Sequence, residues 1–267
     1  GPGRGDRRQR LSEPPKRKHR RLEGNVQAKS SGVHEGTAYG QVFIWNSATK
    51  QGEMRSGVRL LMKGMSVFGG GEAPEKEKAP DPGTPEREPP PVWIECKGNL
   101  TLDGTTRRTV LTDKVRVRQE ASKLFCERLE LEFGEKSEKV DRLVASDDVR
   151  FELPQDGVVG KGTRLVREEG KGVVEIYGTP ADVSAQGVHI WSDRIVSGAS
   201  GLGAPGPGRL EMISEDKGRT APANIAWRGK MTFDQNSKRA DFERDVYFRD
   251  GNREVACEKL ELEFDES

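Results

Sequence analysis

Two adjacent carboxylates, Asp147 and Asp148, are the side chains whose type and spacing come closest to acid–base chemistry. Paired carboxylates can act as general acid and general base when their environments separate their pKa values. These two, however, stand among turn-type residues between short apolar segments. We therefore interpret them as a solvated turn rather than a catalytic pair.

The other candidates for catalysis or ligand binding stand alone. His19 lies in a basic stretch, and His34 and His189 have no neighbour in the sequence that predicts metal or nucleophile chemistry. The glycine run at 69–71 lacks the lysine and the following helix of a phosphate-binding loop. The sequence therefore predicts a protein that is not an enzyme and that uses no metal and no cofactor.

The three cysteines are an odd number and do not make a closed disulfide framework. Cys126 and Cys257 are predicted to occupy equivalent, half-buried strand positions as small apolar side chains. The sequence leaves undecided whether Cys96 and Cys126 form a disulfide bond, which an oxidising compartment would allow. The tryptophans, near strand ends, are predicted to cover the core rather than to stack on sugars: Trp45, Trp93, Trp191 and Trp227.

The composition excludes several classes of function. Of the 267 residues, 32% are hydrophobic and 33% are charged, which suits one-sided sheets diluted by flexible segments. The 45 basic and 44 acidic residues nearly cancel, so no general nucleic-acid-binding character is predicted. No apolar run approaches the roughly 20 residues that span a bilayer. We expect a piece of a longer protein, with any signal or membrane anchor upstream.

Apolar and charged residues alternate in three consecutive short segments between residues 114 and 153. A period of two places one set of side chains on each face of a strand. Turn-type residues separate the segments at 119–122, 134–137 and 146–148. The pattern predicts a meander of antiparallel strands with one dry face and one wet face, in which the odd positions of 129–133 point inward.

The composition divides the chain into six parts. A basic stretch at the start is predicted to be a disordered linker, with contact to anionic membrane lipid as the alternative. Two long disordered loops, rich in proline or glycine, separate three β-rich parts. The predicted parts are 1–36 (disordered basic linker), 37–68 (partial β unit), 69–91 (Pro-rich loop), 92–196 (complete β unit), 197–223 (Gly/Pro loop) and 224–267 (start of a further unit).

An internal repeat connects the second and third β-rich parts. Residues 94–133 and 225–264 align without a gap at an offset of 131, and the run LELEF at 129–133 recurs at 260–264. Residues 40–62 are a weaker copy. Repetition of a β unit predicts a stacked architecture in which each unit buries its apolar face partly against its neighbours, and we expect further units to follow.

The same residues resemble a known family. The positions that carry the resemblance are Glu127-Arg128-Leu129, Val140, Leu143-Val144-Ala145, Val149, Gly178-Thr179-Pro180-Ala181, Gly187, Ile190, Asp193 and Ile195. They resemble the OstA-like (organic-solvent-tolerance) domain of the lipopolysaccharide-transport proteins. Glu127 replaces the usual aspartate, and Ser146-Asp147-Asp148 replaces a glycine-containing turn. The resemblance covers 92–196 well, 225–267 fairly and 37–68 weakly.

The resemblance implies an all-β fold: a repeated antiparallel β-jellyroll, or β-taco, whose units stack end to end. It implies binding of lipopolysaccharide or a similar amphipathic lipid, partners that are other OstA-like domains joined by their edge strands, and a periplasmic or envelope location in a bacterium. The alternative is a structural β-solenoid scaffold with a packed core and no ligand. The residues predicted to line a lipid groove are Val115, Val117, Leu129, Leu131, Phe133, Leu143, Val149, Phe151, Ile176, Val183, Ile190 and Ile195.

Overall fold

A computed structural model describes residues 19–30, 36–64, 66–68, 89–134, 140–185, 187–216 and 219–264. These residues form β-strands, joined by turns and one short 3-10 turn (Glu169–Lys171), with no α-helix among them. The all-β prediction is therefore confirmed. The strands are β1 (His19–Ser30), β2 (Gly36–Asn46), β3 (Gln51–Arg55), β4 (Val58–Met62), β5 (Val92–Cys96), β6 (Leu100–Asp103), β7 (Arg108–Gln119), β8 (Ser122–Phe133), β9 (Val140–Leu153), β10 (Val158–Glu168), β11 (Val173–Ala185), β12 (Val188–Gly198), β13 (Gly201–Ala204), β14 (Gly208–Asp216), β15 (Arg219–Trp227), β16 (Met231–Asp234), β17 (Arg239–Asp250) and β18 (Arg253–Glu263).

All of these strands belong to one antiparallel sheet that runs as a meander. Two short strands in succession replace a long one at four places: β3 with β4, β5 with β6, β13 with β14, and β15 with β16. Each long strand beside them therefore pairs with both short ones, as β7 does with β5 and β6. Among the described strands, β1 pairs only with β2 and β18 only with β17, so these two form the edges.

The long strands bend near their midpoints, along a line that crosses the whole sheet. Two successive residues with positive φ mark the bend in three of them: Asp113-Lys114 in β7, Asp147-Asp148 in β9 and Arg244-Asp245 in β17. The pairing register shifts at the same places, as expected for bulges, which bend a strand and increase its twist. The gap between β3 and β4, Ser56-Gly57, repeats this conformation.

The bend folds the sheet into two halves that face each other. Half-sheet A contains β3, β6, β13, β16 and the parts of the long strands paired with them; half-sheet B contains β4, β5, β14, β15 and their partners. One cluster of buried apolar side chains draws on both halves. The structure is therefore the folded-over β-jellyroll that the resemblance implied.

The sequence repeat at offset 131 is also a structural repeat. Strands β5 to β8 and β15 to β18 have matching pairings, for example Ile94 with Val117 and Ile225 with Phe248. Even the glycine shared by the repeats has one role. A Cβ on Gly98 would lie 2.6 Å from the carbonyl oxygen of Thr112, and Gly229 approaches Glu243 in the same way.

The repeat extends further towards the N-terminus than the sequence showed. Strands β3 and β4 correspond to β13 and β14 at an offset of 150, because Gln51 and Gly201 hold the same place opposite Asp103 and Asp234. The two offsets differ by 19 residues (150 − 131), which lie between β4 and β5. The connection between these strands is therefore long in the first repeat and short in the second.

Two of the predicted flexible parts contain regular strands. β1 lies within 1–36, and β13, β14 and most of β15 lie within 197–223, so the linker and loop predictions are wrong for these residues. Glycine suggested a loop at 197–223, but small side chains are accommodated in β13, β14 and β15 because strands on both sides supply the ladder hydrogen bonds. Residues 1–18, 31–35 and 69–88 lie outside the described ranges.

Two segments of turn-type residues lie inside strands. Asp147-Asp148 is the exposed bend of β9, not a turn between strands. The segment Gly178–Pro180 lies within β11, at its register shift. A Cβ on Gly178 would collide with the backbone of Ala181, which explains the glycine at this bend. A sequence pattern cannot distinguish a bend within a strand from a turn between strands, because both use residues that tolerate left-handed φ.

Candidate functional site

The space between the two half-sheets contains the residues predicted to line a groove. Eleven of the twelve are buried, and Phe133 is partly buried against the same cluster. In the run 129–133, Leu129 and Leu131 point inward and are buried, whereas Glu130 and Glu132 pair with outward-facing arginines. The predicted inward orientation is therefore correct for eleven residues and partly so for Phe133. Whether they contact a ligand stays a prediction.

The inward side chains form rows that run across the strands, from one repeat into the other. In half-sheet B, one row is continuous from the first repeat to the second; its members in order are Ile94, Val117, Leu124, Phe151, Gly160, Val183, Ile190, Leu210, Ile225 and Phe248. Gly160 has no side chain because the ring of Phe151 occupies that space. The apolar interior is therefore shared by both repeats.

The second repeat supplies interior residues beyond the twelve predicted to line the groove. Trp227, Met231 and Phe242 are buried, and the rings of Trp227 and Phe242 lie 5.4 Å apart. Met231 and Phe242 could have been identified from the offset of 131, because they correspond to Leu100 and Leu111. The four tryptophans differ in environment: Trp227 is buried, Trp45 and Trp191 are half-buried, and Trp93 is exposed, so the predicted covering of the core fits Trp227 best.

The outer face of half-sheet A carries carboxylates held between cations. Glu130 accepts hydrogen bonds from Arg108 and Arg128. Burial alone would raise the pKa of Glu130, but the two guanidiniums outweigh it and hold this pKa below its ordinary value. Glu175, bonded to Tyr177 and Arg194, has a lowered pKa for similar reasons. These groups are ion pairs of a solvated face rather than reactive groups.

The outer face of half-sheet B pairs a histidine that was expected to stand alone. His189 contacts Asp182 through Nε2, and Lys161 lies 2.9 Å from the other oxygen of that carboxylate. Trp191 lies beside the imidazole, and Arg209 lies over the indole ring at 4.1 Å. The expectation of an isolated His189 is wrong. Among the residues that the structure describes, no nucleophile joins this group, which forms a cross-strand ladder.

The cysteine arrangement excludes the bridge that the sequence left open. Cys96 and Cys126 are free and buried, on strands that flank β7 at the level of Val115. Two strand spacings of about 4.8 Å separate their backbones by more than the ~7 Å that a disulfide allows. Burial raises the pKa of Cys126 to about 12. Cys257 occupies the equivalent position on the edge strand and is half-buried.

Metal clusters and membrane-spanning helices are two further features to consider in the described residues. Within the described ranges, no group of three or more histidine, cysteine or acidic side chains is arranged to hold a metal ion. Nor does the described part of the chain contain a helix with the length and apolarity to cross a membrane.

Comparison with known proteins agrees with the motifs. Residues 98–198 match the family model described as "LptA/(LptD N-terminal domain) LPS transport protein". A structural match is the crystal structure of LptH, described as the LptA homologous periplasmic component of the lipopolysaccharide transport device from Pseudomonas aeruginosa. It shares 17% identity over 41% of this chain and 77% of LptH, with a TM-score of 0.36. No curated protein sequence matches the chain. The resemblance to the lipopolysaccharide-transport family is therefore confirmed for residues 98–198, the segment that matches its LptA/LptD N-terminal domain.

Proposed function

We propose that this chain binds the acyl chains of a lipopolysaccharide-type lipid between its half-sheets and passes them along a stacked β bridge across a bacterial envelope. One observation carries the proposal: the apolar interior continues without interruption from the first repeat to the second. Each CH₂ group removed from water contributes about 0.8 kcal/mol, so burial of acyl carbons between the half-sheets would stabilise the complex while a charged headgroup stays outside.

The edge strand β18 supports an end-to-end partner. Leu124 in β8 is 2% exposed because β9 covers it, whereas its counterpart in β18, Val255, is 46% exposed. The backbone groups of β18 that face away from β17 have no strand partner among the described residues. A strand from another OstA-like domain would complete both the ladder and the interior by β-augmentation.

The alternative is a structural scaffold without a ligand, and the close packing of the interior favours it. Leu129, Leu131 and Ile195 are among the side chains that are fully buried by their neighbours alone. A lipid can enter only if the half-sheets move apart. Lipid binding and a packed scaffold therefore predict opposite results when an inward position is probed for lipid contact.

The test is photo-crosslinking of the full chain with purified rough lipopolysaccharide. The photoreactive residue p-benzoylphenylalanine replaces an inward side chain, Leu131, Phe151 or Ile176, and circular dichroism checks the fold. Matched controls place it at the outward neighbours Glu130 and Arg150. We expect adducts at the inward positions and not at the outward ones. Absence of adducts at all three inward positions in folded protein would support the scaffold.

A further inference from the structure

The mouth of the fold, the side opposite the bend, is closed at one place by a short segment that follows β4. At the mouth both half-sheets end in turns, such as that between β7 and β8 in half-sheet B and that between β10 and β11 in half-sheet A. Ser66–Phe68 lies between these rims. Val67 is only 3% exposed and belongs to the buried cluster, and Phe68 packs against the cluster. We call Ser66–Phe68 the strap.

Half-sheet B holds the strap through Gln119, the last residue of β7. The side-chain oxygen of Gln119 accepts a hydrogen bond from the backbone N–H of Val67 at 3.0 Å. Its side-chain nitrogen donates to the carbonyl oxygen of Pro90 at 2.9 Å, just before β5 begins. A buried amide thus satisfies backbone groups on both sides of the long connection, which fixes where the strap begins its crossing.

Half-sheet A holds the strap through Arg167 of β10. This arginine pairs across the ladder with Leu143, a buried inward residue, so it occupies a position where other strands carry apolar side chains. Its Nη1 donates to the carbonyl oxygens of Ser66 at 3.1 Å and Val67 at 2.7 Å, and Glu169 pairs with its Nη2. The guanidinium therefore reaches from one half-sheet to a segment anchored on the other.

The second repeat provides an internal comparison. There β14 continues to Asp216, which pairs with Arg219 of β15, so the two paired strands are separated by only two residues of the sequence. The 19 additional residues of the first repeat belong to the connection between β4 and β5, which also contains the strap. Gln119 corresponds to Asp250 in the second repeat. Closure of the mouth by a segment after β4 is therefore a feature of the first repeat and not of the repeating unit itself.

We propose that the strap is a gate on the mouth and that Arg167 is its latch. The proposal rests on the lipid-binding function proposed above. An acyl chain attached to a bulky anionic headgroup can reach the interior near β8 to β10 through the mouth only when the strap has moved, because the headgroup cannot cross the apolar interior. The gate decides whether lipid enters the first repeat from the side or only along the interior.

The first experiment tests the latch without any lipid. Val67→Cys places a thiol in the strap, and Cys257→Ser removes the thiol that is not fully buried. In this protein, Arg167→Gln should raise the rate of labelling by a water-soluble maleimide about tenfold or more, because both hydrogen bonds to the strap are lost. Arg164→Gln, an exposed arginine on the same strand, is the control and should leave the rate unchanged.

Gln119→Met removes the other anchor and decides the question if Arg167→Gln does not fold. Equal labelling rates in the original protein and in the folded anchor variant would overturn the latch. Circular dichroism checks that each variant is folded. Labelling of denatured protein supplies the rate for a fully accessible thiol.

The second experiment tests the gate. With p-benzoylphenylalanine in place of Phe151, purified rough lipopolysaccharide should form adducts several-fold faster in Arg167→Gln than in the original protein or in Arg164→Gln. Equal adduct rates, despite faster maleimide labelling, would overturn the gate and leave lipid binding intact. No adduct in any of the three proteins would overturn the proposed function, whereas the labelling result would still report on the latch.

Discussion

The two copies of the LELEF run provide a matched pair for measuring what a neighbouring strand contributes. Leu129 in β8 is 0% exposed and is covered on one side by β7 and on the other by β9. Leu260 occupies the same place in β18, where β17 is the one strand neighbour among the described residues, and it is half-buried. The local sequence is identical, so Leu→Ala at the two sites differs in tertiary surroundings alone.

The structure sets the expected magnitudes. Leu129→Ala removes a fully buried side chain and leaves a cavity enclosed on all sides, which costs about 2–5 kcal/mol in the free energy of unfolding. Leu260→Ala removes a partly covered side chain at an open edge, where no enclosed cavity forms, and should cost about 1 kcal/mol. We therefore expect Leu129→Ala to be at least twice as destabilising.

The assay is urea unfolding followed by circular dichroism, with both variants and the original protein measured at one protein concentration. Low concentration limits association through the β18 edge, which would cover Leu260 and raise its apparent contribution. Equal losses of stability for the two variants would refute the reasoning that β9 creates the burial. A much larger loss for Leu260→Ala at high concentration would indicate that a partner strand covers the edge.

Three further predictions concern the ion pairs of Glu130, the glycines of the two repeats and the cysteines. The folded-state pKa of Glu130 lies below its ordinary value of 4.5, so its ion pairs stabilise the fold above that pH and are lost as the pH falls through the folded-state pKa; Glu130→Gln should reduce the acid-side fall in the urea midpoint. Gly98→Ala and Gly229→Ala should each lower the thermal midpoint by a similar amount, because each Cβ meets the same kind of carbonyl oxygen; a tolerated substitution at one site would contradict the structural repeat. In native protein Cys257 should react with a water-soluble disulfide reagent, and Cys126 should react only after unfolding; fast reaction of Cys126 would contradict its burial.

The sequence allowed the fold class, the inward face and half of the repeat to be predicted, since these depend on local alternation. Leu129 and Leu131 are buried because a period of two cannot place them elsewhere once one face is dry. The pairing of Gly201–Ala204 within the sheet could not be predicted from local alternation. No side chain in GLGA signals a strand, and its ladder depends both on β12, which immediately precedes it, and on β16, which lies much further along the chain.

The bend of β9 and the inward position of Arg167 could not be predicted from the sequence either. Asp147-Asp148 has the composition of a turn, and only the register on both sides shows that β9 passes through it without reversing. Arg167 has no role in the predictions from the sequence. Its inward position follows from the bulge earlier in β10, which changes the alternation, and one inserted residue is enough to move every later side chain to the opposite face.

The two repeats share one apolar interior but differ at the mouth, because the strap closes the mouth of the first repeat at one place. The inward rows pass from β8 through β9 and β10 to β11 without a break. In the function proposed above, movement of an acyl chain along the interior needs the half-sheets to separate but does not need the strap to leave the mouth. Entry or exit from the side requires it, and the strap prevents this near β10 as long as Arg167 holds Ser66 and Val67. Movement along the interior and exchange through the mouth are therefore separate steps, and changes at Arg167 should alter the second without altering the first.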